Sequence, residues 1–249
     1  MRIISKIEIK NNFIVKGINF EGIRKVGDPQ IIAKKYYENG IDEIIFSDVV
    51  ASLYNRNQLY KLVDEFSKDI FVPITLGGGI RSIEDVGKAL KSGADKVFLN
   101  SSVLKNSQLI ENLAKTFGSQ CIVVSIEAKY NENDYFCYFN SGRDNSNIKM
   151  SEWIKEIEDK GCGEILINSV DKDGTKKGFD LLLCENIEKS ATRPVIISGG
   201  FGKLTDIKDL FEVINPSAIS IGSRLHYNQI QIQDIKTYIR EELNIKNVR

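Results

Sequence analysis

VPITLGGGIRSIEDVGKALKSGADKVFLNSS, from Val72 to Ser102, decides the fold. A short β-branched run from Val72 closes on Gly77, Gly78 and Gly79, an amphipathic stretch follows from Ser82 to Ser92, and a second apolar run from Asp95 closes on Asn100, Ser101 and Ser102. Ser82 with Asp85 three residues on is a helix-start signal. Strand, helix and strand in that order, with both strands short and buried-looking, is the unit of a parallel sheet. The unit repeats outward in both directions. Further strands are predicted at IISKIEI from Ile3, EIIFSD from Glu43, CIVVSIE from Cys121, EILINS from Glu164, PVIISG from Pro194 and AISIG from Ala218. Helical patterns fall between and after them: Pro29 to Asn39, Asn55 to Lys68, Asn106 to Phe117, Ser151 to Lys160, Leu181 to Ser190, Leu204 to Val213 and Gln233 to Leu243. Asp28 before Pro29 is a second N-cap signal.

Eight strands alternating with eight helices in 249 residues predict a (β/α)8 TIM barrel, one domain over 1–249. One long insert interrupts it, Tyr130 to Asn147, read as a surface hairpin after the fifth strand. The chain also resembles itself at half-length: IEIK from Ile7 returns as IEAK from Ile126, DEIIFSD from Asp42 as GEILINSVD from Gly163, and LGGG from Leu76 as SGG from Ser198. Two half-barrels account for that period.

Lys plus Arg equals Asp plus Glu at 34 each, so no net field draws the chain to nucleic acid or to an anionic membrane. Cys121, Cys137, Cys162 and Cys184 are widely spaced, with a single histidine, so no metal site and no cofactor is expected. The N-terminal MRIISKIEIKNN has no signal-peptide run and no stretch reaches about 18 apolar residues, which predicts a cytoplasmic protein.

Chemistry is expected at the C-terminal ends of the strands. Gly78 and Gly79, with Asn100 and Ser101, make one candidate phosphate cradle, because glycine lets backbone N–H groups approach an anion and hydroxyls add donors. Gly199 and Gly200, with Gly222 and Ser223, make a second, at the usual phosphate position of such barrels. Tight turns alone would also require some of these glycines. Two cradles imply a long ligand, a small molecule phosphorylated at each end. Glu8 and Glu127 close the first and fifth strands and face each other as candidate general acid and base, with a structural ion-pair role as the alternative. Asp171, Asp173 and Thr175 either help the second cradle or form a hydrogen-bonded turn. At the other end, Arg2, Glu43, Lys96 and Glu164 open four strands and suit a neutral ring across the barrel floor. His226, beside Tyr227, reads as a packed or hydrogen-bonded group.

GGGI, GADKV.LN, TFGSQ, GEIL..S.D.DGT, SGG.GK and an early VKG..F, in order over essentially the whole chain, resemble the cyclase subunit of imidazole glycerol phosphate synthase. The resemblance implies a glutaminase docked on the N-terminal face, ammonia passing through the barrel, and a bis-phosphorylated ribulose compound split and cyclised at the other end. It places Arg2, Glu43, Lys96 and Glu164 at the ammonia gate, Asp95 at the glutaminase contact, and Lys16 and Phe20 in the mobile first loop. Gly78, Gly79, Asn100, Ser101, Asp173, Gly174, Gly199, Gly200 and Ser223 fall on its phosphate cradles.

The departures sit at the chemical centre. Where the family has aspartate, in LDVKDG and IDAK, this chain has Glu8 and Glu127, and Asn168 replaces the usual threonine. One extra methylene moves a carboxylate by roughly 1 to 1.5 Å, and a misplacement of about 1 Å lowers a rate on the order of a hundredfold. Kept gate and cradles with altered acid and base imply a paralog that delivers ammonia to a different acceptor. In surface-glycan pathways such paralogs resemble the ammonia source of a sugar amidotransferase that makes an acetamidino sugar. The ordinary cyclase of histidine biosynthesis is the other expectation.

Overall fold

Apolar runs that close on a glycine or a polar turn become the staves of a closed barrel. The structure, a computed structural model, describes residues 1–51, 59–245 and 248. Its strands are β1 (Arg2–Lys10), β2 (Phe13–Ile18), β3 (Glu21–Gly27), β4 (Glu43–Asp48), β5 (Ile74–Gly77), β6 (Lys96–Leu99), β7 (Ile122–Asn131), β8 (Asp134–Phe139), β9 (Asp144–Lys149), β10 (Glu164–Ser169), β11 (Val195–Ser198) and β12 (Ala218–Ile221). Eight of them pair in parallel in the order β10-β11-β12-β1-β4-β5-β6-β7, and β10 pairs again with β7, which closes the barrel. This is the predicted (β/α)8 architecture.

Helices cover the outside. Asp28 caps the helix Pro29–Glu38 by accepting from the N–H groups of Gln30 and Ile31, and Ser82 caps Ile83–Lys91 by accepting from Asp85. Both caps fall where the sequence places them. Leu59–Phe66 lies within the expected Asn55 to Lys68 helix, whose first turn falls outside the described residues. Two short helices not anticipated, Ser101–Lys105 and Ser223–His226, follow β6 and β12. The main core lies between strands and helices, with Ile3, Ile7, Phe46 and Trp153 among its buried members. Cys137, Cys162 and Cys184 are buried and Cys121 partly so, all as free thiols. Among the described residues, no helix is long and apolar enough to cross a membrane.

Half-barrel symmetry is visible in the inserts. β1 and β7, the first strand of each half, run past the barrel rim, and each folds back into an antiparallel hairpin, β2–β3 and β8–β9. The expectation of one insert is therefore corrected to two. Asn11 and Asn12, at positive φ of 50° and 65°, make the turn that starts the first, in conformations asparagine tolerates best after glycine. The second is no surface hairpin. Tyr135 and Cys137 are buried, and the Tyr135 hydroxyl donates to Asp180 at 2.7 Å, so its inner face packs into the molecule.

Candidate functional site

Side chains that point inward alternate along each strand, so the barrel interior is built in layers. The lowest layer is charged. Arg2 bonds Glu43 at 2.5 Å and also bonds Glu164, while Lys96 lies 3.0 Å from each of the same two carboxylates. Thr75 adds a hydroxyl to Glu43 at 2.7 Å. The four residues thus form the closed neutral ring expected of them, with Glu43 fully buried. Beside it on the same face, Asp95 is exposed and accepts from the Ile74 N–H at 2.8 Å.

Above the ring, Ile4, Ile45, Phe98, Val123, Leu166, Ile196 and Ala218 form a separate apolar collar. Each of the ring strands β1, β4, β6 and β10 contributes to both layers, two residues apart. An uncharged molecule as small as ammonia crosses such a collar at far lower cost than its protonated form, because the collar offers a charge no compensation.

Above the collar the mouth divides into two cavities. The first, about 280 Å³, is lined by Gly78, Gly79, Asn100 and Ser101 together with Glu8 and Glu127. The second, lined by Asp173, Gly174, Gly199, Gly200, Gly222 and Ser223, has about 20 Å³, room for roughly one water. Lys16 lies against this second cavity, donating to both oxygens of Asp173 at 2.9 and 3.0 Å and to Glu8 at 2.9 Å. It lies on β2, a strand where a loop was expected, with Phe20 at the hairpin turn. Gly78 and Gly200 have φ of 95° and 99°, and a Cβ on either would lie 2.4 Å from Asp48 O or 2.1 Å from Gly178 O. Chain packing alone therefore requires glycine at both, whatever they bind.

The two glutamates share the first cavity in opposite surroundings. Burial alone would raise the Glu8 carboxyl, but Lys16 and Lys6 override it and hold the group below its ordinary value. Burial raises Glu127 to about 7 against partial opposition from the Gly142 N–H, which donates to it at 2.7 Å, and from Lys6. A carboxylate and a carboxyl poised near neutrality are the pair that acid and base chemistry needs. Lys16 is the cation of this set: burial would lower it, and Asp173 and Glu8 raise it instead.

A family model described as histidine biosynthesis protein matches residues 2–231. The chain is 45% identical over 241 residues to imidazole glycerol phosphate synthase subunit HisF of Hydrogenobaculum sp. (strain Y04AAS1), covering 96% of each. It is 44% identical to the subunit of that name from Lactococcus lactis subsp. cremoris (strain MG1363), covering 99% of this chain and 94% of the relative. The one from Wolinella succinogenes is 43% identical, with 97% and 95% covered. The chain belongs to the histidine biosynthesis protein family.

On this barrel, the sequence reading missed what the hairpins and the first strand supply. Asn140 and Ser141 of the second hairpin line the first cavity, and Gly142 holds Glu127; a polar, asparagine-rich insert gave no sign of reaching the mouth. Lys6 also lines the mouth and donates to Asn168 at 2.8 Å; its alternation with Arg2, Ile4 and Glu8 was the available signal. The Thr175 hydroxyl donates to Lys172 O, a turn bond, whereas Asp171 accepts from the Tyr130 N–H of β7 and so ties the turn to a neighbouring strand; Asp173 alone of the three lines the second cavity. His226 is buried between the Tyr36 hydroxyl at 2.8 Å and Lys6 O at 3.1 Å, and burial together with Lys16 lowers it to about 4. It is a neutral, packed group.

Proposed function

We propose that the chain is the barrel subunit of a two-component, glutamine-dependent system. A glutaminase docks on the N-terminal face around Asp95, ammonia enters at the ring of Arg2, Glu43, Lys96 and Glu164, crosses the collar, and emerges at a mouth that holds a phosphorylated small molecule. The observation that carries this reading is the four-membered ring beneath an apolar collar drawn from seven of the eight barrel strands. Glutaminase partnership is also supported by relatives that are named as subunits of a synthase.

The acceptor of the ammonia is the finer part of the proposal. Glu8 is tied by Lys16, and both Glu8 and Glu127 are one methylene longer than the aspartates of the resembled cyclase, so with a ligand fixed in the cradles their carboxyl groups are displaced from the positions that cyclisation needs. The chain then serves a separate enzyme, a sugar amidotransferase of surface-glycan synthesis, more than its own mouth. The second reading is the cyclase of histidine biosynthesis, favoured by the 41–45% identity to relatives that carry the HisF name and by the divided character of Glu8 and Glu127.

One assay separates them. The purified pair of barrel and glutaminase is given glutamine and the bis-phosphorylated ribulose substrate. The delivery reading expects glutamine hydrolysis with little or no cyclisation, and partial recovery in the double variant Glu8→Asp, Glu127→Asp. Cyclisation by the unmodified chain at an ordinary enzymatic rate, about 1 to 10 per second, abolished by Glu8→Gln or Glu127→Gln, establishes the cyclase instead.

A further inference from the structure

The inner face of β1 carries Arg2, Ile4, Lys6 and Glu8 in alternation, so one side of the barrel interior runs from the ring through the collar to the mouth. Ring, collar and acid-base pair account for Arg2, Ile4 and Glu8. Lys6 has no place in that scheme. It is 7% exposed, yet among the described residues its ammonium makes one hydrogen bond, to Asn168 Oδ1 at 2.8 Å, with Glu8 Oε1 in a longer ion pair at 3.5 Å and the centre of the Phe20 ring 5.4 Å away. Asn168 is itself anchored to Ser125 Oγ at 3.0 Å, which fixes the acceptor. Among the described residues, Lys6 alone lines both cavities of the mouth.

An ammonium has three donors, and leaving them unmet in a buried place is costly. Among the described residues, Glu8 Oε1, also buried, accepts no hydrogen bond and meets Lys6 only in a loose ion pair at 3.5 Å. The junction between the two cavities thus holds spare donors on Lys6 and a spare acceptor on Glu8. A chain of hydroxyl groups, or a hydroxyl beside a carbonyl, satisfies donors and acceptor together; an apolar spacer satisfies neither and leaves both desolvated.

We infer that Lys6 is the central ligand-binding group of the mouth, its ammonium taking a hydroxyl or carbonyl oxygen in the middle of an open-chain polyhydroxy bisphosphate while Glu8 Oε1 accepts from a neighbouring hydroxyl. This rests on the reading of the two glycine cradles as the sites of the terminal phosphates. Lys16 has to yield the second cavity to a phosphate, whereas Lys6 already stands between the two. Lys6 therefore selects for the middle of the ligand, and the cradles for its ends.

Two probes isolate the middle. Glucitol 1,6-bisphosphate and hexane-1,6-diol bisphosphate share chain length and charge and differ only in the central hydroxyls. Calorimetric titration of the full chain should show the glucitol compound binding about tenfold tighter or better, as hydrogen bonds to charged groups deliver. Lys6→Met should bring the two affinities to within about twofold, and Lys6→Arg should keep part of the preference. If Lys6→Met melts before the titration temperature, Lys6→Gln is read in its place. A tenfold preference that survives in Lys6→Met, or an equal loss of both compounds that leaves their ratio unchanged, overturns the inference while the cradles stand. Failure of the unmodified chain to bind either bisphosphate overturns the cradle reading and this inference with it.

Discussion

Glu127 accepts the Gly142 N–H at the edge of a cavity that also contains Glu8, and burial lifts it from 4.5 to about 7. A carboxyl raised in the folded state favours folding fully below the unfolded value of 4.5, and that contribution is lost as the pH rises through about 7. Glu8 runs the other way: lowered by Lys16 and Lys6, its contribution is present above its ordinary value and lost as the pH falls below it. The two slopes overlap in the native chain, so a difference measurement is needed. Glu127→Gln should unfold at higher urea than the parent at pH 8, by at most roughly 3 kcal/mol because the side chain is only half-buried, and the gap should close toward pH 5. A gap of constant size across that range would mean that Glu127 titrates normally. The same substitution tests chemistry separately, since a stabler but inactive Glu127→Gln is what removal of a strained functional group produces.

At the scale of the element, the glycine turns after the strands divide by what surrounds them. A Cβ at Gly78 meets the Asp48 backbone at 2.4 Å with φ at 95°, whereas one at Gly222 meets nothing closer than 3.5 Å. Gly78→Ala should therefore cost about 2 kcal/mol or more and displace the first cradle, and Gly222→Ala should cost under about 1 kcal/mol, both read by thermal unfolding. Equal effects would show that the β5 turn relaxes freely. These turns were legible in the sequence because glycine is the residue that such a backbone needs. Strands β4 and β10 were legible to the residue, Glu43 to Asp48 and Glu164 to Ser169, since a strand buried on both faces is a bounded apolar run. The β2–β3 hairpin was not: five of the seven residues of β3 are exposed, so its pattern carries no core signal, and only the asparagine turn marked it. Lys16 was found through resemblance alone, because its partners Glu8 and Asp173 lie 8 and 157 positions away and nothing local specifies them. Lys6 was passed over as one residue of an apolar strand, although the period of two that aligns it with Arg2 and Glu8 was in plain view.

Across the whole molecule, the N-terminal face combines a ring that holds the barrel floor with an exposed acid proposed to hold a partner, and the two functions separate by mutation. Glu43 is buried and bonded to Arg2, Lys96 and Thr75, so Glu43→Gln leaves two cations sharing Glu164 alone. Removing one member of a buried ion cluster costs about 3 to 5 kcal/mol, which for a chain of this size lowers the melting temperature by roughly 6 to 20 °C. Asp95 is exposed, and its one described side-chain bond, from the Ile74 N–H, is a neutral-type contact that asparagine keeps. Asp95→Asn should therefore melt within a few degrees of the parent, and Asp95→Lys should lose only about 1 kcal/mol for the missing acceptor. If a glutaminase docks here, co-purification should respond in the opposite order. Asp95→Lys should weaken it most, since a reversed charge in an interface burying about 800 Å² per partner adds repulsion to the lost contact, and Asp95→Asn should weaken it less. Pull-down of the tagged barrel with its glutaminase, beside melting curves of the same preparations, reads both effects. Unchanged capture by Asp95→Lys in a folded protein would move the partner to another face, and the ring would then be only the seal of the barrel floor.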